Sequence, residues 1–297
     1  MKRESASDKV FLIFNSIFVF LMIAIVLYPL IYVISASISN PTYVNSGEMW
    51  LLPKDITFEG YLKVFQDKDI WNGYKNTIIY TISGVLVHLF ILLPCAYALS
   101  RKGIPYKKVI MWFFLFTMFF NGGLIPTYLL VKQLGMVNTM WAMIIPNALT
   151  VWSIIVARAF FQQNIPDSLV EAAEIDGGTD FYIFWKIVLP LSKPIIAVMA
   201  LFHGVGLWNQ YFNALIYLND SSLYPLQLVL REILILNEMS TDMMMSGQSL
   251  ESFAEQARIA DIIKYAVMIV SALPLLMVYP FLQKYFVKGV LIGSIKE

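Results

Sequence analysis

The stretch EAAEIDGGTDFYIFWKIVLPLSKP, residues 171–194, lies between two long apolar runs and carries Glu171, Glu174, Asp176, Asp180, Lys186 and Lys193. That density of charge keeps it out of lipid, yet its pattern is helical. Pro166, just upstream, suits a first helical turn, where a missing N–H leaves nothing unpaired. Asp167 follows at the positive end of the helix dipole. The helix continues through Leu169, Val170, Ala172, Ala173 and Ile175. It stops at Gly177 and Gly178, where a positive φ costs little. Thr179 can cap a second helix with the apolar face Phe181, Phe184, Trp185, Val188 and Leu189. Pro190 and Pro194 end it and open the next apolar run. The spacing predicts a helix–glycine–helix elbow held at a membrane surface, a shape that fits into a partner.

Outside the elbow the chain is oily. Of its 297 residues 59% are hydrophobic and the mean hydropathy is +0.69, against roughly 45–50% apolar residues in soluble domains. These values predict an all-α, polytopic membrane protein. A crossing helix needs about 20 apolar residues, and six transmembrane helices are expected, at 11–37, 76–99, 109–131, 140–161, 195–218 and 262–285. The elbow loop occupies 162–194, and two polar segments, 40–71 and 219–260, lie outside the bilayer. In the second of these, Leu226, Val229, Leu230, Ile233 and Leu234 have helical spacing. The basic start MKRESASDK leads into a run too long for a signal peptide, so the first span is read as retained. No internal repeat divides the chain, which is read as one membrane domain over 1–297.

Six crossings put both termini on one side. With that side inside, the inner segments hold about 13 of the 21 Lys and Arg residues, the bias expected of cytoplasmic loops. The tight group Arg101, Lys102, Lys107 and Lys108 in a short loop is the stronger signal. This orientation places the elbow and both termini in the cytoplasm.

Composition also excludes. A net charge of +1 gives no case for nucleic-acid binding. Cys95 is the only cysteine, so intrachain disulfides and thiolate clusters are ruled out. His88 and His203 read as polar residues satisfied between helices rather than metal ligands. No G-x-x-x-x-G-K-[ST] occurs, so the phosphate-cradling loop of an ATPase is missing. A membrane-embedded enzyme would need a catalytic cluster that two histidines and one cysteine do not supply. A stand-alone secondary transporter is the alternative function. It would usually need coupling-ion sites within the spans, and these spans contain no acidic residue.

Polar residues inside a membrane usually face a wet path or a bundle interior. On the fifth run Trp208, Asn209, Tyr211 and Asn213 are the pathway candidates, with Asn209 and Asn213 four apart on one helix face. Aromatic faces beside amides suit sugars, with apolar C–H faces and hydroxyl edges. The competing reading is contact between helices. The break at Asn121, Gly122 and Gly123, with Pro126, has two readings as well: a pathway lining past the midplane, or a turn at the outer surface.

The residues Glu171, Ala172, Ala173, Gly177, Ile187, Leu189 and Pro190 stand at the spacing of the EAA loop, so the chain resembles the permease subunits of ATP-binding-cassette (ABC) importers. Asp176, Phe184 and Pro194 resemble the fuller form found in carbohydrate-uptake permeases. So do NGGLIPTYLLVKQLGMVNTMWAMIIP, GLWNQYFNALIYL and the closing FVKGVLIGSIK. Gly178 departs from that pattern, where alanine is commoner, and is expected to loosen the elbow slightly. The resemblance implies a type I importer permease fold in a bacterial cell membrane. It implies a second homologous permease, a dimer of ATPase subunits holding ATP and Mg, and an extracellular solute-binding protein delivering an oligosaccharide. This chain would bind no cofactor and catalyse nothing. Glu171, Ala172, Ala173, Asp176, Gly177, Gly178, Ile187, Leu189 and Pro190 would form the ATPase-coupling surface. The segment 219–260 would receive the binding protein, and the tail 288–296 would lie near the ATPase.

Overall fold

The computed structural model describes residues 6–245, 261–278 and 280. The tail at 288–296, the end of the sixth apolar run and residues 246–260 lie outside them. The regular elements among the described residues are helices, and Ser39 and Ile56 add a single antiparallel bridge. Two compact units result.

The first unit holds the described residues up to Lys68 and those from Leu230 to Leu273. Helix α1 (Ala6–Ser37) is apolar all round, and its large side chains from Val10 to Leu30 are exposed. A helix hydrophobic on every side belongs in lipid or a large core. At 1.5 Å per residue its 32 residues reach roughly 48 Å, ample for a bilayer. Its last turns are held by hydroxyl groups. Ser35 Oγ donates to the Leu51 carbonyl at 2.7 Å, and Ser37 Oγ meets the Tyr61 hydroxyl at 2.8 Å. Short helices α2 (Pro41–Asn45) and α3 (Glu59–Gln66) order much of the first polar segment. Asn40 caps α2, and Asn45 Nδ2 donates to Asp261 at 2.6 Å. Gly60 lets α3 press on the helix Asp261–Val278: a Cβ there would stand 2.6 Å from the Ile262 carbonyl oxygen.

The second unit comprises Asp69–Val229 with the described residues beyond Pro274. Helix α4 (Lys68–Ser100) runs unbroken past Pro94. Helices α5 (Lys107–Phe119) and α6 (Leu124–Gln133) meet at 111°. The bend follows from local chemistry. Gly123 has φ +85°, and Asn121 Oδ1 accepts the Gly123 N–H at 3.0 Å. Helix α7 (Trp141–Ile144) is separated from α8 (Val151–Asn164) by a stretch containing Pro146. Then come α9 (Asp167–Ile175), α10 (Asp180–Leu191) and α11 (Lys193–Trp208), and α12 (Phe212–Tyr217). The spacing in the second polar segment does form a helix, α13 (Leu226–Met245). Its start is clasped by α4, where Asn76 Nδ2 donates to the Ser222 and Tyr224 carbonyls and Thr77 Oγ1 accepts the Leu226 N–H.

Three helices among the described residues are long and apolar enough to cross a membrane: Asp8–Ser37, Lys68–Ser100 and Asp261–Val278. Counting the bent pairs α5–α6 and α10–α11 as one crossing each gives five. Three of the expected crossings, 109–131, 140–161 and 195–218, are each interrupted, the first at the break that Asn121, Gly122 and Gly123 predict and the other two where an unbroken helix was expected. Glycine and proline account for the first two interruptions. In the third, α11 ends at Trp208 and α12 begins at Phe212.

Candidate functional site

The elbow is built from its ends inward. Arg101, just past α4, fixes the entry to α9. Its Nη1 lies 3.3 Å from Asp167 Oδ1, and its Nη2 donates to the Ile165 carbonyl at 3.1 Å. Its guanidinium sits 5.1 Å from the Tyr97 ring centroid, within cation–π reach. Lys102 Nζ adds a 2.8 Å contact to Asp167 Oδ2. The hydrogen bond from Lys102 holds the Asp167 carboxyl below its ordinary value, and the same bond raises the Lys102 ammonium. Asp167 was read only as a dipole complement and the basic group only as an orientation signal; together they form a latch between the α4–α5 loop and α9. A basic loop and one carboxylate 66 residues apart give no local signal of that pairing.

The corner is a Schellman turn. The Gly178 N–H donates to the Ala173 carbonyl at 2.9 Å and the Gly177 N–H to the Glu174 carbonyl at 3.0 Å. Gly177 has φ +82° with open space around a notional Cβ. At Gly178, where alanine is commoner in the resembled pattern, a Cβ would stand 2.8 Å from the Ala173 oxygen that its own N–H binds. Thr179 caps α10 as expected, accepting the Tyr182 N–H at 3.3 Å. Pro190 does not end that helix, which continues to Leu191. A π turn over Phe184–Val188 precedes the proline, and such turns absorb irregular hydrogen bonding inside helices. The end falls at Ser192, fully buried, whose Oγ donates to the Val188 carbonyl at 2.7 Å. Beyond it α11 departs at 78° to α10. Serine at this kink was not singled out by the sequence.

One side of the elbow is anchored and the other is bare. Val170, Ile183, Phe184 and Val188 enter a core with Leu92, Ala96, Phe161 and Met199, and Ala173, Ile187 and Leu189 pack partly against it. Glu171, Ala172, Asp176, Gly177 and Pro190 are exposed, with Gly178 half-buried. Ile175 is 86% exposed, Phe181 74% and Tyr182 54%. A side chain such as Ile or Phe gains about 1.5–3 kcal/mol on full burial, so these three exposed side chains, close in sequence to Glu171, Glu174, Asp176 and Asp180, leave apolar area uncovered on the elbow.

The pathway candidates scatter. Trp208 is buried edge-on against Tyr74, centroids 6.1 Å apart. Asn209 Nδ2 donates to Val205 O at 2.9 Å, closing the end of α11. Asn213 lies beyond the break, half-buried in α12, with Tyr211 exposed before it and Asn121 exposed at the α5–α6 bend. Asn209 and Asn213 therefore do not share one continuous helix face.

A cavity of about 510 Å³ lies nearby, lined by Asn147, Thr150, Trp152, Phe202, His203 and Gln210. Thr150 caps α8, accepting the Ser153 N–H at 3.3 Å. Gln210 Nε2 donates to the Met143 carbonyl at 3.2 Å. His203 stacks on His88, ring centroids 4.0 Å apart and planes 9° apart. His88 Nδ1 is 2.8 Å from the Ala148 carbonyl oxygen. Parallel rings do not converge their nitrogen lone pairs on one ion, and the described residues contain no group of three candidate metal ligands. Nothing in the sequence brings two histidines so far apart into contact; the packing of α4 on α11 does.

Comparison with known proteins follows the same lines. Residues 70–292 match the family described as the binding-protein-dependent transport system inner membrane component. The chain is 40% identical to Protein LplC of Bacillus subtilis (strain 168), over 99% of this chain and 97% of that protein. It is 41% identical to the polygalacturonan/rhamnogalacturonan transport system permease protein YtcP of the same organism, over 96% and 97%. A chain from the crystal structure of a bacterial ABC transporter involved in the import of the acidic polysaccharide alginate superposes with a TM-score of 0.85 at 35% identity, covering 96% of this chain and all of that one. The chain belongs to the binding-protein-dependent transport system inner membrane component family.

Proposed function

We propose that this chain is a permease subunit of an ABC importer for carbohydrate, forming half of the membrane pathway and coupling it to a cytoplasmic ATPase. The observation that carries the reading is the elbow: a rigid corner anchored on one side and bare on the other, with Ile175, Phe181 and Tyr182 exposed beside Glu171, Ala172 and Asp176. A groove on an ATPase subunit is the partner that covers it, with Glu171 making the ionic contact and Gly177 setting the angle. ATP and Mg belong to that partner. Six crossings, with both termini in the cytoplasm, are completed by assigning one to residues 141–164. A second permease supplies the other half of the path, and an extracellular binding protein delivers the solute to the polar segments 40–71 and 219–260. On this chain the path follows Trp208, Asn209, Tyr211 and Asn213, with Asn121 at the α5–α6 bend.

Carbohydrate as substrate class rests on the relatives, which include arabinooligosaccharide transport permeases besides those above. Closure of the ATPase pair on ATP pushes the elbow, the core around Phe184 transmits the push to α4 and α8, and the bundle alternates its access. Deleting the gene tests this. Uptake of a radiolabelled oligosaccharide should be lost and return with the wild-type gene. Uptake that persists, or that follows an ion gradient and ignores ATP, refutes the reading and favours the secondary transporter.

A further inference from the structure

We infer that the apolar rim of the first polar segment, between α1 and α3, is a membrane seat that lies in the headgroup layer and takes phospholipid as its partner. Trp50, Leu52, Ile56, Phe58 and Leu62 are between 60% and 76% exposed. A concentration of large apolar side chains on an exposed segment marks a membrane or protein contact. The level of these residues in the membrane follows from α1. Its exposed apolar side chains begin at Val10 and end at Ile34, a run of about 38 Å at 1.5 Å per residue. The hydrocarbon core is about 30 Å thick, and headgroups bring the bilayer to about 40–45 Å. Centred on the bilayer, the run ends about 4 Å beyond the hydrocarbon, which puts residues 35–39 in the headgroup layer.

The rim is pinned to those residues. Ser35 Oγ donates to the Leu51 carbonyl at 2.7 Å, and the Lys54 N–H donates to Ser39 Oγ at 3.2 Å. The Thr57 N–H donates to the Ile38 carbonyl at 3.0 Å, and Ser37 Oγ meets the Tyr61 hydroxyl at 2.8 Å. Trp50 and Leu52 flank Leu51, Ile56 and Phe58 flank Thr57, and Leu62 follows Tyr61. Each apolar residue is thus one Cα step, about 3.8 Å, from a residue bonded to the end of α1. Phe58 and Leu62 stand four apart and share one side of α3, while Gly60 and Val64 are its buried residues. A second crossing helix gives the same level. Gly60 packs on Ile262 at the start of the helix Asp261–Val278, and Tyr265 of that helix meets Tyr32 of α1 edge to face at 6.2 Å. Tyrosine and tryptophan gather at membrane–water interfaces, and Tyr32, Tyr61, Tyr265 and Trp50 mark that layer here. The rim begins where the lipid-facing surface of α1 ends, and that continuity selects lipid over a soluble partner. Seated in this way, the segment holds the ends of two crossing helices at a fixed depth.

The test uses the purified membrane complex in phosphatidylethanolamine–phosphatidylglycerol vesicles, with no soluble binding protein added and Cys95→Ser to remove the native thiol. Leu52→Cys, Phe58→Cys and Leu62→Cys replace exposed side chains, and each carries a bimane fluorophore. If one variant does not assemble, the other two read the same level. Phe20→Cys, at an exposed position within α1, is the deep comparison, and bimane-labelled free cysteine gives the fully aqueous value. Quenching is measured with iodide in the water and with phospholipids carrying a nitroxide at the headgroup or deep in the acyl chain. The rim labels should be quenched several-fold more by the headgroup nitroxide than by the acyl-chain one, and Phe20→Cys in the reverse order. Iodide should quench the rim labels several-fold less than free bimane-cysteine. Rim labels open to iodide and silent to both lipid nitroxides overturn the seat. Labels shielded from iodide and from both lipids overturn it too, because protein then covers the rim. The measurement needs no transport, so failure of the carbohydrate or ATPase reading leaves its outcome unchanged.

Discussion

Gly177 is the sharpest place to perturb the elbow, because strain and space separate there. Its φ is +82° and a Cβ would meet nothing within 4 Å, so substitution costs backbone energy and no collision. An L-residue in the left-handed region costs about 1–2 kcal/mol, Asn less than Ala, and a β-branched residue is a true outlier there. One to two kcal/mol shifts a conformational ratio by roughly 5–30-fold, enough to spread the elbow over several angles while the anchored core around Phe184 stays folded. The order of impairment should therefore be Asn, then Ala, then Val, following φ tolerance. Gly178→Ala should act by a different route, since its Cβ would crowd the Ala173 oxygen at 2.8 Å and displace the bond closing the corner. The assay is ATP hydrolysed per solute molecule imported by the reconstituted complex, with membrane insertion checked separately. Gly177→Val is expected to insert normally and to waste ATP several-fold. Wild-type coupling in Gly177→Val, or impairment that tracks side-chain volume instead of φ, would refute the reasoning.

Other consequences can be measured on the same preparation. Arg101→Glu and Asp167→Arg should each weaken coupling and the pair should partly restore it; equal damage in the double variant would mean that the latch is not an electrostatic pair. The pH dependence of the latch follows from its two shifts. The lowered Asp167 carboxyl contributes above its ordinary pKa of about 3.9 and is lost as pH falls through the lowered value. The raised Lys102 contributes below its ordinary pKa of about 10.4 and is lost as pH climbs through the raised one. From about pH 5 to 9 the latch is therefore constant, and Asp167→Asn should lower the coupled ATPase profile without changing its shape. A new inflection in that window would contradict this. Ser192→Ala leaves the buried Val188 carbonyl without the hydroxyl that satisfies it, a loss of about 1–3 kcal/mol that thermal unfolding of the purified complex should register; unchanged unfolding would show the kink to be held by packing alone.

What the sequence made legible was local. Composition and run length gave the helical membrane class, and the caps and glycines between Pro166 and Thr179 gave the elbow because each acts within a turn or two. The break at Asn121, Gly122 and Gly123 was legible for the same reason, but the one after Ile144 was harder to read: hydropathy averages over it, and a proline or glycine ends a helix only where surrounding contacts allow it. Pro94 shows the converse, sitting inside an unbroken α4. The Arg101–Asp167 latch, the His88–His203 stack and the cavity residues Asn147 and Gln210 come from helix packing between distant segments, and a single sequence does not encode which faces meet. The grouping of Asn209 with Asn213 assumed a continuous helix, and the restart at Phe212 separates them.

The central claim is that the bare face of the elbow belongs to an ATPase. The most direct measurement is co-purification in mild detergent of the chain tagged at its N-terminus, followed by mass spectrometry, with Glu171→Arg/Ile175→Asp as the comparison. The account predicts recovery of a second permease and an ATPase bearing a phosphate-cradling loop. The ATPase alone should be lost when Glu171, exposed at the elbow, and Ile175, 86% exposed, are changed together. Recovery of the chain by itself, stable and monodisperse, or retention of the ATPase by the double variant, would contradict it.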